Sequence, residues 1–440
     1  MKKVAIKKTK QKITSKALGM PIAAFITDVL CLRDRFSIVT LKKGRNSEFN
    51  TVDMCIGIIS IIMLECERIS HIDTSFSGEV ILAKQLGLKR FFSSSTAYRF
   101  IRKFAGWHVS QLCRINSLLL REHGQSIQAS KKVLDIDGST HSLQSRKREK
   151  ATPGYNRQHK GDDCYQQSAA FCNDELIIQN LDAGHVHCSQ RLKYLFQEAV
   201  KILGEIHMIR LDSGYFSIDT ILFLVDKGIM FAMRVTANCA GFSYAMALAE
   251  SDRLHFKKVG KSKATYIAEI PKLRLFKDMD EEFRFLLVKE HKRIKKVKKG
   301  RIFYTYEWQY WGIVTSIPKA VMHSHKLLKF YRRRQTIENF FKETKQSFNS
   351  GKMPCQKFRG NEAYLWFVCI AYNISIWFKR DVLSKKHSRC MMKTIRQRLN
   401  TSALCEDSSD DIRLIFHDDF PYIRTYVYMF QRINLLRKAA

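Results

Sequence analysis

Residues 131–140 read KKVLDIDGST. Val133, Leu134 and Ile136 form the aliphatic run of a short strand, and the Asp-Gly pair at 137–138 marks the turn that ends it. Alternation sets Asp135 and Asp137 on one face, so the strand carries carboxylates toward its end. The segments that follow have related textures. CYQQSAAFC (164–172) and ELIIQNL (175–181) read as two further strands, and SQRLKYLFQEAVKIL (189–203) as a helix. IHMIRLDSGYFS (206–217) is a strand running into a helix start, SIDTILFLVDKG (217–228) a helix and IMFAMRV (229–235) a strand.

Three strands, a helix, a strand, a helix and a strand describe an α/β mixed sheet with an antiparallel start, the order found in ribonuclease H-like folds. Ahead of it, PIAAFITDVLCL, VDMCIGIISIIMLECERI and SSSTAYRFIRKFAGWHVSQLCRINSLLL show apolar residues at three and four spacing, with an N-cap signal at Ser93–Ser95. The spacing predicts an all-helical N-terminal domain over residues 17–128, preceded by a basic arm over 1–16. The ribonuclease H-like fold is expected over 129–236 and again over 307–380. Between them, 237–306 is ragged and basic, including KEHKRIKKVKKGR, and is expected to be an inserted β-rich subdomain. Residues 381–440 form a C-terminal region without an assigned role.

The chain of 440 residues carries 76 Lys plus Arg against 41 Asp plus Glu, a formal charge of +35. Such an excess attracts polyanions, nucleic acid first. The longest apolar run, MCIGIISIIML from Met54, falls well short of the roughly 20 residues a membrane span requires, so no membrane partner is expected. The basic N-terminus lacks the apolar segment of a secretory signal. Twelve cysteines are scattered without C-x2-C pairs, which argues against zinc and for reduced thiols in the cytoplasm.

The segment FYRRRQTIENFFKETKQSF (330–348) separates its residues by face. On a continuous α-helical wheel, Tyr331, Arg334, Glu338 and Lys345 fall within about 60° of one another, beside an apolar arc of Phe330, Ile337, Phe340, Phe341 and Phe348. Arg332, Gln335, Asn339, Lys342 and Glu343 are expected to face solvent. The four residues of the stripe match Y-x2-R-x3-E-x6-K. This pattern resembles the signature of the DDE transposases of bacterial insertion sequences, the broad Y-R-E-K group. RLDSGYFS (210–217) is similar to that family's R-x-D-S-G-[FY] motif, and the resemblance spans about Thr14 to Leu436.

The resemblance implies a metal-dependent DNA transposase that binds terminal inverted repeats, cleaves the element ends and transfers them to target DNA. It implies Asp137, Asp212 and Glu338 as catalytic carboxylates and ligands of two Mg2+ ions, with Mn2+ a possible substitute. Asp135 stays open as an alternative first ligand, because many relatives carry a further Asp where this chain has Gly138. Tyr331, Arg334 and Lys345 are implied as grips on DNA phosphates, and Trp311 as a ring on which an extruded base stacks. Double-stranded DNA, a homodimer and a cytoplasmic, nucleoid-associated location complete the expectation. The alternatives are an inactive or domesticated transposase acting as a DNA-binding protein, and a structure-selective nuclease.

Overall fold

The computed structural model describes residues 12–143, 147–156, 159–260, 264–298, 301–408 and 412–439. Most of the expected basic arm therefore lies outside the described residues. Its end, Lys12–Thr14, is a strand that pairs antiparallel with Ala403–Cys405. The C-terminal region thus closes against the start of the chain.

The N-terminal segment is helical. Helix α1 (Thr51–Met63) begins at a reciprocal cap, in which Asn50 accepts from the Asp53 amide and Asp53 accepts from the Asn50 amide. Helix α2 (Ser94–Ile101) starts at Ser93, whose side chain accepts from the Thr96 amide. Its pattern does not run on unbroken. Helix α3 (Gly106–His123) begins anew after Ala105, whose backbone is extended.

Strands β1 (Val133–Ser142), β2 (Asp163–Cys172) and β3 (Glu175–Ala183) pair antiparallel in the order β3-β2-β1. Helix α4 (Leu192–Leu203) leads to β4 (Met208–Leu211), parallel to β1, and α5 (Ile218–Asp226) leads to β5 (Met230–Arg234), parallel to β4. Strands β6 (Thr265–Arg274), β7 (Glu282–Lys298) and β8 (Arg301–Thr315) follow. β8 returns to pair antiparallel with β5, so the sheet continues as β3-β2-β1-β4-β5-β8-β7-β6. The segment read as ragged is therefore an extension of the main sheet, and β8 runs unbroken through the expected boundary at 306.

Helices α6 (Ser324–Arg332) and α7 (Gln335–Ser347) carry the signature, α8 (Phe358–Asp381) follows and α9 (Ile423–Ala439) ends the chain. Apolar on all sides, α8 can only lie inside. It packs on α1, α2, α3 and β3 at once, within one hydrophobic core that runs from Ala17 to Ile433. Its polar groups are matched: Asn373 donates to Asn116 and to the Leu176 carbonyl, and accepts from the Leu176 amide. Among the described residues no helix is long and apolar enough to cross a membrane.

Candidate functional site

The parallel pairing of β1 with β4 aligns Ile136 with Leu211, so Asp137 and Asp212 stand one step beyond on adjacent strands. Asp137 accepts from the Gly138 amide at 2.8 Å, and Asp212 caps a short 3-10 turn by accepting from the Ser213 amide at 2.7 Å. Both line a cavity of about 640 Å3 with Lys345, His185 and His187. Lys345 is tied to this wall by donating to the Thr140 carbonyl at 2.9 Å.

Arg334 enters from the junction of α6 and α7. Its Nη2 lies 2.8 Å from Asp137 and 3.9 Å from Asp212, and its Nη1 lies 3.7 Å from Glu338. The three carboxylates singled out in the sequence therefore meet around one guanidinium. Burial alone would lower the Arg334 pKa, but Asp137, Tyr331 and Asp212 outweigh it and hold the charge more firmly than usual. Burial raises the Asp137 carboxyl above its ordinary range, against the pull of Arg334. Nε and Nη2 of Arg334 make no aligned hydrogen bond, so the contacts are ion pairs that leave its donors unsaturated.

Two expectations for this helix change. Arg334 was assigned to DNA phosphate, yet it is only 5% exposed and faces carboxylates. The assumed continuous stripe is also interrupted. The amides of Arg334, Thr336 and Ile337 bond back three residues, to Tyr331, Arg333 and Arg334, so the chain tightens toward 3-10 geometry there. At roughly 120° per residue the tightened turn eclipses positions 331, 334 and 337 and swings Glu338 away from them. Tyr331, Arg334 and Ile337 are accordingly buried, while the Glu338 side chain is 63% exposed.

The Tyr331 hydroxyl, expected to meet a terminal phosphate, donates to the Leu211 carbonyl at 3.3 Å, and its ring packs 5.9 Å from Trp311. Trp311 is half-buried, donates to Glu290 at 3.0 Å and lies under the Arg234 guanidinium. These contacts occupy the ring expected to take an extruded base. Glu343, expected in solvent, is buried and accepts from the Met392 amide at 2.6 Å.

Asp135 and Asp137 part company. Asp135 is buried and held by both arms of Arg210 at 2.7 and 2.5 Å, while Arg210 also donates to the Phe330 carbonyl. Asp135 is thus engaged in joining β1, β4 and α6, and Asp137 is the carboxylate that borders the cavity. The Arg210 role went unread, although a lone charge in an apolar strand was its signal. Gly138 has its own cause: a Cβ there would lie 2.6 Å from the Cβ of Cys188, so the position is closed to a side chain without rearrangement.

Among the described residues, no group of three or more His, Cys, Asp or Glu stands close enough together to hold a metal ion. Asp137, Asp212 and Glu338 nonetheless offer carboxylate oxygens, the donors a hard cation prefers.

The chain matches the family model described as "Transposase DDE domain group 1" over residues 1–438. No curated protein matches. Among solved structures, a cryo-EM piggyBac transposase synaptic complex with hairpin DNA is similar over 98% of this chain and 87% of that one, with 13% identity and a TM-score of 0.44.

Proposed function

This chain belongs to the DDE transposase family, and from that premise we propose that it cleaves the ends of a mobile DNA element and joins them to target DNA. The observation that carries the proposal is the meeting of Asp137 and Asp212, from adjacent strands, with Glu338 of α7 around Arg334. The strand order β3-β2-β1-β4-β5 supports reading the catalytic fold as ribonuclease H-like, with residues 237–306 as its β-rich insertion. Residues 17–128 are proposed to bind the terminal inverted repeats of an insertion sequence, in a homodimer that bridges two ends within the cytoplasm.

Asp137, Asp212 and Glu338 would hold two Mg2+ ions, or Mn2+, which supply the charge neutralisation needed on the attacking and leaving oxygens of a phosphodiester. This chain's own residues do the rest. Arg334 keeps the three carboxylates gathered by balancing their charge. Lys345, at the cavity wall, presents an ammonium to the phosphate. Tyr331 holds the Arg334 turn against β4 through its hydroxyl, a positioning role, and Trp311 supports Tyr331.

The test is a terminal-repeat duplex incubated with the full chain and divalent metal. Asp137→Asn, Asp212→Asn and Glu338→Gln should each lower cleavage by at least about a thousandfold while retaining end binding. Full strand transfer by Glu338→Gln would remove the proposal. Cutting without joining would leave a structure-selective nuclease, and end binding without cutting by the unsubstituted chain would leave a DNA-binding protein.

A further inference from the structure

Strands β7 and β8 are longer than the sheet they belong to. Strand β6 pairs with β7 only as far as Glu290, so from His291 outward β7 and β8 continue as a two-stranded ribbon. The register sorts its side chains onto two unlike faces. On one, Tyr304, Tyr306, Trp308 and Tyr310 follow at every second position of β8. Directly opposite them on β7 stand Lys295, Arg293, His291 and Lys289. The face holds no carboxylate among these cross-strand pairs.

The other face differs. Glu290 and Glu307 lie there and neutralise Lys292, Lys296 and Arg332. The carboxylates of the ribbon are therefore segregated away from the aromatic ladder, and the ladder's cations keep their charge for an outside partner.

The rings are presented rather than packed away. Tyr304, Tyr306 and Trp308 are 52%, 63% and 44% exposed. Cations and an imidazole lie beside them: Arg293 is 3.8 Å from the Tyr304 centroid, Lys289 is 4.9 Å from Trp308, and His291 sits between Trp308 and Tyr306 at 4.8 and 5.5 Å. Large aromatics held in an exposed row are costly to solvate without a partner.

The spacing selects the partner. Rings at alternate strand positions recur about every 7 Å. Bases in a stacked strand rise roughly 3.4 Å, about half that distance. One base per ring therefore requires a strand pulled out of its stack, and a duplex, whose base faces are covered, presents none to the ladder. We infer that this face of the ribbon is a docking track for unpaired, extended single-stranded nucleic acid, with bases stacked on the rings of β8 and phosphates met by the cations of β7. That the strand is DNA from an element end rests on the transposase reading; the single-strand preference follows from the ladder alone.

The track is tested on the full chain by fluorescence anisotropy with labelled oligothymidylate of about 20 nucleotides and a duplex of matched length. The combined variant Tyr304→Ser/Tyr306→Ser/Trp308→Ser alters only exposed rings and should melt as the parent does. Its affinity for the single strand should fall by more than about tenfold, with duplex affinity changed by less than about twofold. Arg293→Ser/Lys295→Ser should reduce the salt dependence of single-strand binding by roughly one to two counterions. Equal losses on both probes, or none on the single strand, would overturn the track. A switch from dimer to monomer in sedimentation with unchanged single-strand affinity would instead make the face a contact between two copies. The ladder is read by binding in the absence of divalent metal and the transposase reading by cleavage in its presence, so a failed cleavage test and a failed ladder test remain separable.

Discussion

Asp135 and Asp137 are two positions apart on one strand, yet burial and partners set them to different tasks. Asp135 neutralises Arg210, with side chains only 4% and 9% exposed. Removing one partner of such a pair strands the other charge in the interior. Asp135→Ala should therefore lower stability by about 3–5 kcal/mol. Asp137→Asn should cost less, because the buried Arg334 keeps Asp212 and Glu338 beside it. Burial raises the folded pKa of Asp137. For an acid raised in this way, the ionised form costs stability above the folded pKa, and the cost disappears below the unfolded value near 3.9. Asp137→Asn should lose less stability than Asp135→Ala at about pH 7 and compare less well with the parent toward about pH 4, while cleavage is lost. Thermal denaturation of both variants across that range checks the division. A strongly destabilised Asp137→Asn beside an unaffected Asp135→Ala would reverse the two roles. Alternation alone had placed both acids on one face; it could not say which of them a residue 75 positions away would neutralise.

Elements were legible where their apolar pattern is local. The strand textures from 133 to 235 read correctly because alternation and turn residues are properties of short windows, and the step from Asp137 to Asp212 follows once β1 and β4 are neighbours. The turn at Arg334 was not legible. Its three-residue hydrogen bonding leaves no mark in a wheel drawn at constant pitch, which sets Tyr331, Arg334 and Glu338 on one stripe. The ribbon was legible only as part of a β-rich stretch: its aromatics lie on β8 and its cations opposite them on β7, a pairing that the register sets and apolar periodicity does not reveal. Helix α8 was readable as core, but its attachments were not. Asn373 joins α3 to β3 through Asn116 and Leu176, all fully enclosed. Asn373→Ala takes the side-chain partner from the Leu176 amide and the Asn116 oxygen in a place water does not reach, although Asn116 still donates to the Leu176 carbonyl. It should cost roughly 2–3 kcal/mol, measured as a lower denaturation midpoint with unchanged slope. Unchanged stability would mean that the three contacts do not hold the helices to the sheet.

At the scale of the whole molecule, the sequence divides at about residue 128, whereas the core does not. Helix α8, more than 200 positions later, is packed by the N-terminal segment on one side and by the sheet on the other. Phe25 lies 5.6 Å from Phe378, Phe36 and Phe104 lie 6.0 and 5.8 Å from Phe367, and His123 lies 5.9 Å from Trp377. Removing residues 1–128 would expose these three α8 aromatics along one face. At roughly 1.5–3 kcal/mol for each large apolar side chain taken out of the core, the loss is on the order of 5–9 kcal/mol, comparable with the 5–15 kcal/mol that holds a typical domain folded. A chain of residues 129–440 expressed alone should therefore be insoluble, or bind a hydrophobic dye and melt without a sharp transition. The full chain should unfold with the helices and the sheet in a single step. A soluble 129–440 fragment with a cooperative melt would show that α8 can be closed by the sheet alone, and that the N-terminal helices are a removable unit rather than part of one core.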